Sequence, residues 1–458
     1  MSTANTRVWY DLHKDSITTG KLNVENAEIG TLNTTYIELD NIDLPLGSTL
    51  KIGGANVLAT PVNASSVALG NTVIVNQGTN GVAIGLNSGE NNQSINSISI
   101  GENSAFSNQG HDSIAIGQNA GQTSQDSNSI AIGQNSGTTS QGQDSVSIGT
   151  NAGVNTQGSN SIAIGYNSGS INEGSISIAI GNTSGYTSQG TSSIAIGVNS
   201  GVTSQGQSSV SIGNLSGQTS QGNQAIGIGQ NAGQTNQGQN CISIGHDSGK
   251  NTQGSNSISI GNNSGSTQQG LNAIVIGQGS GNNNQGNGSI IIGQLSGNAN
   301  FLANSVCIGS SSCTQAISGS VVCIGNSSCT NAVNSGNVVI GTSAVQQAIG
   351  QDNVVIGNGS TLSGAQDKNV IIGCRSQQLG VPQEGNVVIG QGASITNAAL
   401  SNNIVLGRNA NAQLANGQLC IGSVSVPVRV NPAAGNVAGF LQVKVNGVPL
   451  CVPINVPF

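Results

Sequence analysis

Charge is scarce in this sequence. Asp, Glu, Lys and Arg make up 6% of 458 residues, and aromatic residues only 2%. That composition starves an ordinary globular core of large side chains. No apolar run reaches the roughly 18 residues of a membrane-spanning helix. The three histidines, His13, His111 and His246, lie far apart, and no His/Cys/Asp set has metal-ligand spacing. His246-Asp247-Ser248 are consecutive, which excludes the geometry of a catalytic triad. Carboxylates are too sparse for the paired-acid cleft of a glycosidase. Gly277-Gln-Gly279 follows no βαβ unit, which speaks against a dinucleotide site. The expectation is a protein with no catalytic residues, no metal and no cofactor. Ten basic residues scattered singly, in a chain of net charge −7, give no phosphate-tracking patch, so nucleic acid is not an expected partner. The N-terminal stretch has no basic segment followed by an apolar one, and the expectation is synthesis in the cytoplasm without membrane insertion. Asn-x-Ser/Thr triplets such as those at Asn33 and Asn182 read as chance in a chain so rich in these residues.

What the chain has in abundance is a repeat. The segment Ser113-Ile-Ala-Ile-Gly117 returns every 16 residues, its closing glycine falling at Gly85, Gly101, Gly117 and onward to Gly373 without an insertion. Looser copies close at Gly70, Gly390, Gly407 and Gly422, for 23 in all. Disordered low-complexity sequence has no reason to hold that register. A period so short and strict means a solenoid, each copy one coil. Its apolar part is four or five residues, β-branched and alternating, so the coil is β. The fold class expected is all-β: a parallel β-roll solenoid of 16-residue coils, with a short β N-terminal segment and a C-terminal β-hairpin cap. Stacking 23 coils at about 4.8 Å gives a rod roughly 110 Å long.

Counting from the closing glycine as column zero, columns −3 and −1 are Ile, Val or Leu, and column −2 is Ala or Ser. The glycines at zero and +4 mark turns that need positive φ or close backbone approach. Gln122 to Gln125 reads as a return strand, and Gln-Gly pairs such as Gln141-Gly142 as the turn after it. The isoleucines either fill the roll or face other copies of the chain. The cysteines help to choose. Column −2 becomes Cys307 and Cys323 in successive coils, and in the same coils column +4 becomes Cys313 and Cys329. Paired replacement suggests that the two columns face each other across the roll, with possible cross-roll disulfides Cys307/Cys313 and Cys323/Cys329. The thin Ala/Ser/Gly side is then inside. Ile114, Ile116, Ile130, Ile132, Ile162, Ile164, Ile258 and Ile260 are then candidates for an oligomer interface. The competing arrangement keeps Ile inside a monomeric roll.

The run Asn128-Ser-Ile-Ala-Ile-Gly133-Gln-Asn-Ser136 resembles the head repeat of YadA-type trimeric autotransporter adhesins (Hep/Hag-like), Asn-Ser-Val-Ala-Ile-Gly-x-x-Ser. The resemblance implies a left-handed parallel β-roll and a homotrimer packed through its Val/Ile stripe. The coil here is longer than is common in that family, and a surface autotransporter's signal peptide, heptad stalk and anchor barrel are not seen. Similar repeats occur in fibre and structural proteins of large DNA viruses and phages. The expected function is therefore a structural fibre or spike of a virus-like particle, made in the host cytoplasm and carried on the virion surface. One end is expected to bind a capsid or particle protein, and the surface to offer a site for a host receptor or glycan. The alternative is a cell-surface adhesin head that binds extracellular matrix or glycans. An ice-binding solenoid is disfavoured by its irregular Thr columns.

The domains expected are 1–54, a cap or attachment segment; 55–422, the β-roll; and 423–458, a hairpin cap or tip. Short alternations at Leu22/Val24, Ile37/Leu39 and Ile42/Leu44 read as strands in the first. Asn446-Gly447, a preferred hairpin turn, sits between two alternating arms in the last. From Val275 and Ile291 onward column −2 is often large, and the roll is expected to widen.

Overall fold

The computed structural model describes residues 49–52, 55–59, 66–70, 76–298, 303–314, 319–330, 333–345, 349–364, 366–378, 384–396, 400–412, 419–421, 440–445 and 448–453. Contacts divide the chain into Met1–Leu44 and Pro45–Phe458, and all the described residues belong to the second unit. The strands expected near residues 22–44 and the turn at Asn446-Gly447 lie outside them.

Each coil places a three-residue strand just before its column-zero glycine. Ile114–Ile116, Ile130–Ile132 and Val146–Ile148 lie parallel and in register, with Ile130 beside both Ile114 and Val146. The sheet that contains them has 25 strands. Two of these, Thr49–Ile52 and Ala55–Ala59, are an antiparallel pair joined to the rest at Ala59↔Ala68. That leaves 23 parallel strands, one for each copy of the repeat, from Val67–Leu69 to Leu419–Ile421. The opposite wall is made by columns +6 to +8, such as Thr187–Gln189 and Thr203–Gln205. It runs as parallel sheets of three, seven and four strands. Single bridges such as Gln125↔Gln141 and Gln141↔Gln157 join the first two. No helix occurs among the described residues. At the C-terminal side Phe440–Val445 pairs antiparallel with Val448–Pro453, closing on Val445↔Val448.

Stacking at one strand spacing dictates the corners. Gly117 has φ 130°, and a Cβ there would lie 2.5 Å from the Gly133 carbonyl oxygen of the next coil. Only glycine fits. Asparagine fills two further corners that the sequence did not announce, at Asn119 (φ 56°) and Asn128 (φ 59°), because its short amide tolerates the left-handed region. Its side chains also form ladders: Asn87 donates to Asn103, Asn119 to Asn135, and Asn135 to Asn151.

The interior is narrow. Ser113, Ala115, Ala120 and Gln125 are all buried in one coil, from columns −4, −2, +3 and +8. The turn expected at Gln141-Gly142 needs correction: Gln141 bridges the return ladder and is 1% exposed. It is an interior residue. The adjacent Gly142 serves close approach, since a Cβ on it would stand 2.6 Å from the Ser159 nitrogen.

Candidate functional site: the isoleucine face and the cross-roll cysteines

Alternation along a strand sends columns −3 and −1 to one side and −2 to the other. With −2 buried, the isoleucines point outward. Ile114, Ile116, Ile130, Ile132, Ile162, Ile164, Ile258 and Ile260 are each half-buried, flanking a fully buried Ala or Ser. Lateral packing against the coils above and below covers part of each side chain and leaves its tip free. Further along the face Ile228 and Ile244 are 37% exposed. Column +1 adds exposed Leu86, Tyr166 and Val198, and column −5 adds Ile176. The result is a continuous apolar band with polar corners.

The cysteines lie inside. Cys307 bonds Cys313 and Cys323 bonds Cys329, each pair with a Cα separation of 6.2 Å. Columns −2 and +4 therefore do meet across the roll. The bonds are stacked, because Cys307 and Cys323 are register partners in neighbouring strands. The Sγ atoms of Cys307, Cys313 and Cys323 lie within 4.8 Å of one another, but with their sulfurs joined in disulfides they offer no thiolate. Cys313 and Cys329 hold φ of 55° and 51°, the conformation glycine has at this column elsewhere. The half-turn keeps its shape and gains a side chain that reaches across.

What sequence reasoning missed is the polar filling. Column +8 is Gln at 13 of 14 consecutive positions from Gln77 to Gln285, with Glu173 as the exception, and all are buried. Up to Gln269 the amides span the roll. Gln125 Nε2 donates to the Ile114 carbonyl at 2.8 Å and Gln141 Nε2 to the Ile130 carbonyl at 2.8 Å. Gln125 also donates to Gln141 Oε1 of the next coil. Ser147 and Ser211 in column −2 donate to the amide oxygens of Gln157 and Gln221. The unbroken recurrence of one long polar residue at one column was the available signal.

The titratable surface groups do not converge. His111 Nδ1 lies 2.8 Å from Asp112 Oδ2. That contact, and a hydrogen bond from Asn96, hold the Asp112 carboxyl below its ordinary range. His246 and Lys250 flank Asp247 at 3.2 and 3.0 Å. Ser248 turns away from them, its hydroxyl buried and donating to the Ser259 carbonyl. A shallow, solvent-open groove at the first coils is lined by Asn76, Asn92, Ile95 and His111 among others. No helix among the described residues is long and apolar enough to cross a membrane. No protein-family model matches the chain, and no curated protein does.

Proposed function

We propose that the chain is a non-enzymatic structural protein, a stiff solenoid that works as a homotrimeric fibre or spike of a virus-like particle. The observation that carries this reading is the pair of isoleucine columns left partly exposed along the coils while other residues fill the interior. Such a band exceeds the few hundred Å² of contiguous apolar surface that monomers tolerate. A surface repeating at one strand spacing is best matched by another copy of itself, and a closed ring of copies leaves no apolar face in water. Three copies, and the left-handed coil, follow from the resemblance to YadA-type heads. In this reading one end binds a capsid or particle protein, and the exposed polar faces meet a host receptor or glycan. It includes no cofactor, no nucleic acid and no membrane insertion, and places the protein on the virion surface after synthesis in the host cytoplasm.

The regular ladders of exposed amides and hydroxyls favour a second reading, a cell-surface adhesin head that binds matrix or glycans. Mass spectrometry of particles purified from the source separates the two. Light scattering tests the common premise: the expected mass is three times 45.3 kDa. Replacing Ile130, Ile132, Ile162 and Ile164 together by Ser should loosen the assembly. A stable wild-type monomer would end both readings.

A further inference from the structure

The coil between Gly165 and Gly181 breaks the glutamine ladder. Where its neighbours carry Gln157 and Gln189, it carries Glu173, 3% exposed. The neighbours define what the position requires. Gln157 Nε2 donates to the Val146 carbonyl and Gln189 Nε2 to the Ile178 carbonyl, each at 2.9 Å and each to the residue eleven earlier. The corresponding acceptor for Glu173 is the Ile162 carbonyl. A carboxylate has no hydrogen to give it, and a carboxylic acid has one.

The surroundings offer the charged form little. Ser177 Oγ lies 3.3 Å from Glu173 Oε1 as a donor, and Oε2 has no hydrogen-bond partner. The groups packed around the carboxyl are Gln157 from the coil before, Gln189 from the coil after, and Ala163, Gly169 and Ser177 of its own coil. None carries a charge. Between Asp144 and His246 the only other ionisable side chains are Tyr166, Tyr186 and Cys241, so no cation within this stretch can pair with it. Burial, opposed more weakly by the Ser177 hydroxyl and the neighbouring Gln157 side chain, pushes the Glu173 pKa up to about 8.

We propose that Glu173 is a proton-dependent latch: as the neutral acid it stands in for glutamine and closes the ladder, and as the carboxylate it opens the roll at this one coil. The same coil carries exposed Tyr166 and, at φ 59°, exposed Ile176. A β-branched residue in the left-handed region is strained, so the coil that holds the acid is also less favourable in its corner. The solenoid thus contains a defined place at which alkaline conditions loosen it.

The sign follows from the raised pKa. The folded coil holds the proton more tightly than the unfolded one. Its stability is complete below the ordinary carboxyl value of 4.5, falls as pH rises, and stops falling above about 8. In the middle of that window the equilibrium constant for opening should rise about tenfold per pH unit, flattening as pH reaches the raised pKa, so about fiftyfold from pH 6 to pH 8. The experiment is hydrogen exchange of the amides in residues 165–189, corrected for intrinsic exchange, in wild type, Glu173→Gln and Gln205→Glu. Wild type should show the rise and Glu173→Gln should not. Gln205→Glu should create a second alkali-sensitive coil around residue 205. If wild type and Glu173→Gln respond alike to pH, or if Gln205→Glu leaves its own coil insensitive, the proposal is overturned.

Discussion

Two stretches of the same ladder fill the same narrow space in opposite ways. From Gln77 to Gln269 the interior is polar, with glutamine amides spanning the roll and small Ala, Ser and Gly making room for them. From Val275 onward it is aliphatic: Ile291, Val339, Val355, Ile371 and Val388 occupy column −2 and pack with Val333, Ile349, Leu362 and Ile395. The change is already visible at Gln285. Its Nε2 donates to Asn283 and Gly297 carbonyls, whereas earlier glutamines cross to the facing strand, as Gln269 does to Ile258. In that coil column −2 is Val275, whose bulk occupies the path of the amide. Hydrogen bonding does not vanish from the second region but moves. Column −4, mostly serine earlier, becomes Asn337, Asn353, Asn369, Asn386 and Asn403, all fully buried. Asn353 donates to Asn337 Oδ1 from both backbone and side chain, at 2.9 and 3.0 Å. A buried amide is tolerable only with its bonds made. Each region therefore keeps one amide column with its donors satisfied and packs the rest. The two disulfides sit where neither ladder is present.

The ladder itself is common to both regions, and its glycine column should be equally intolerant in each. A Cβ on Gly133 would meet the Gly149 carbonyl oxygen at 2.7 Å, and one on Gly357 the Gly373 oxygen at 2.1 Å. Gly133→Ala and Gly357→Ala should each cost about 3–5 kcal/mol, combining unfavourable φ with a backbone clash. Denaturant unfolding measures this, and a large cost in one region alone would mean that the two do not share a backbone. Fillings should not be interchangeable. Gln141→Leu removes the donor to the Ile130 carbonyl and the acceptor for Gln125. It should cost about 2–4 kcal/mol, the penalty of buried groups left unpaired. Leu362→Gln, which puts an amide among aliphatic neighbours, should cost a similar amount for the converse reason. Local hydrogen exchange around each substitution reads both, and a neutral result for either removes the distinction between the regions.

Legibility followed how directly a column is constrained by sterics. The glycines of column zero admit nothing else, and from them the period, the strand and the coil count could be read. The outward course of the isoleucines was not in their own pattern, which is the same for a filled roll and an exposed face. It came from two coils in which Cys307 and Cys313, then Cys323 and Cys329, changed together. The glutamines stayed hidden because a buried amide has no hydropathy signature, and Gln-Gly has the composition of a turn. Asn119 and Asn128 were hidden likewise, as loop-like residues that prove to be corners with fixed φ. Partners are less legible still, since an apolar face gives only its repeat spacing as a description of what would cover it.

The cysteine pairs lie between the end of the glutamine column at Gln285 and the start of the asparagine column at Asn337, and their contribution should reverse sign with redox state. Cys313 stands where Gly121, Gly137 and Gly153 stand in other coils, and keeps their left-handed φ. A residue with a Cβ there costs about 1–2 kcal/mol relative to glycine. The bond to Cys307, across a sequence separation of 6, should return about 2 kcal/mol by restricting the unfolded chain. Replacing the pair by the repeat's own residues, Cys307→Ala with Cys313→Gly, removes both terms at once. Oxidised wild type should be more stable than this variant by up to about 1 kcal/mol. Under a reducing phosphine the order should invert, because the left-handed cysteine keeps its strain and loses its bond. Denaturant midpoints of both proteins with and without reductant supply the comparison, and non-reducing peptide mapping fixes the pairing in each sample. An unchanged order on reduction would mean that these cysteines act only as small apolar fillers at the junction.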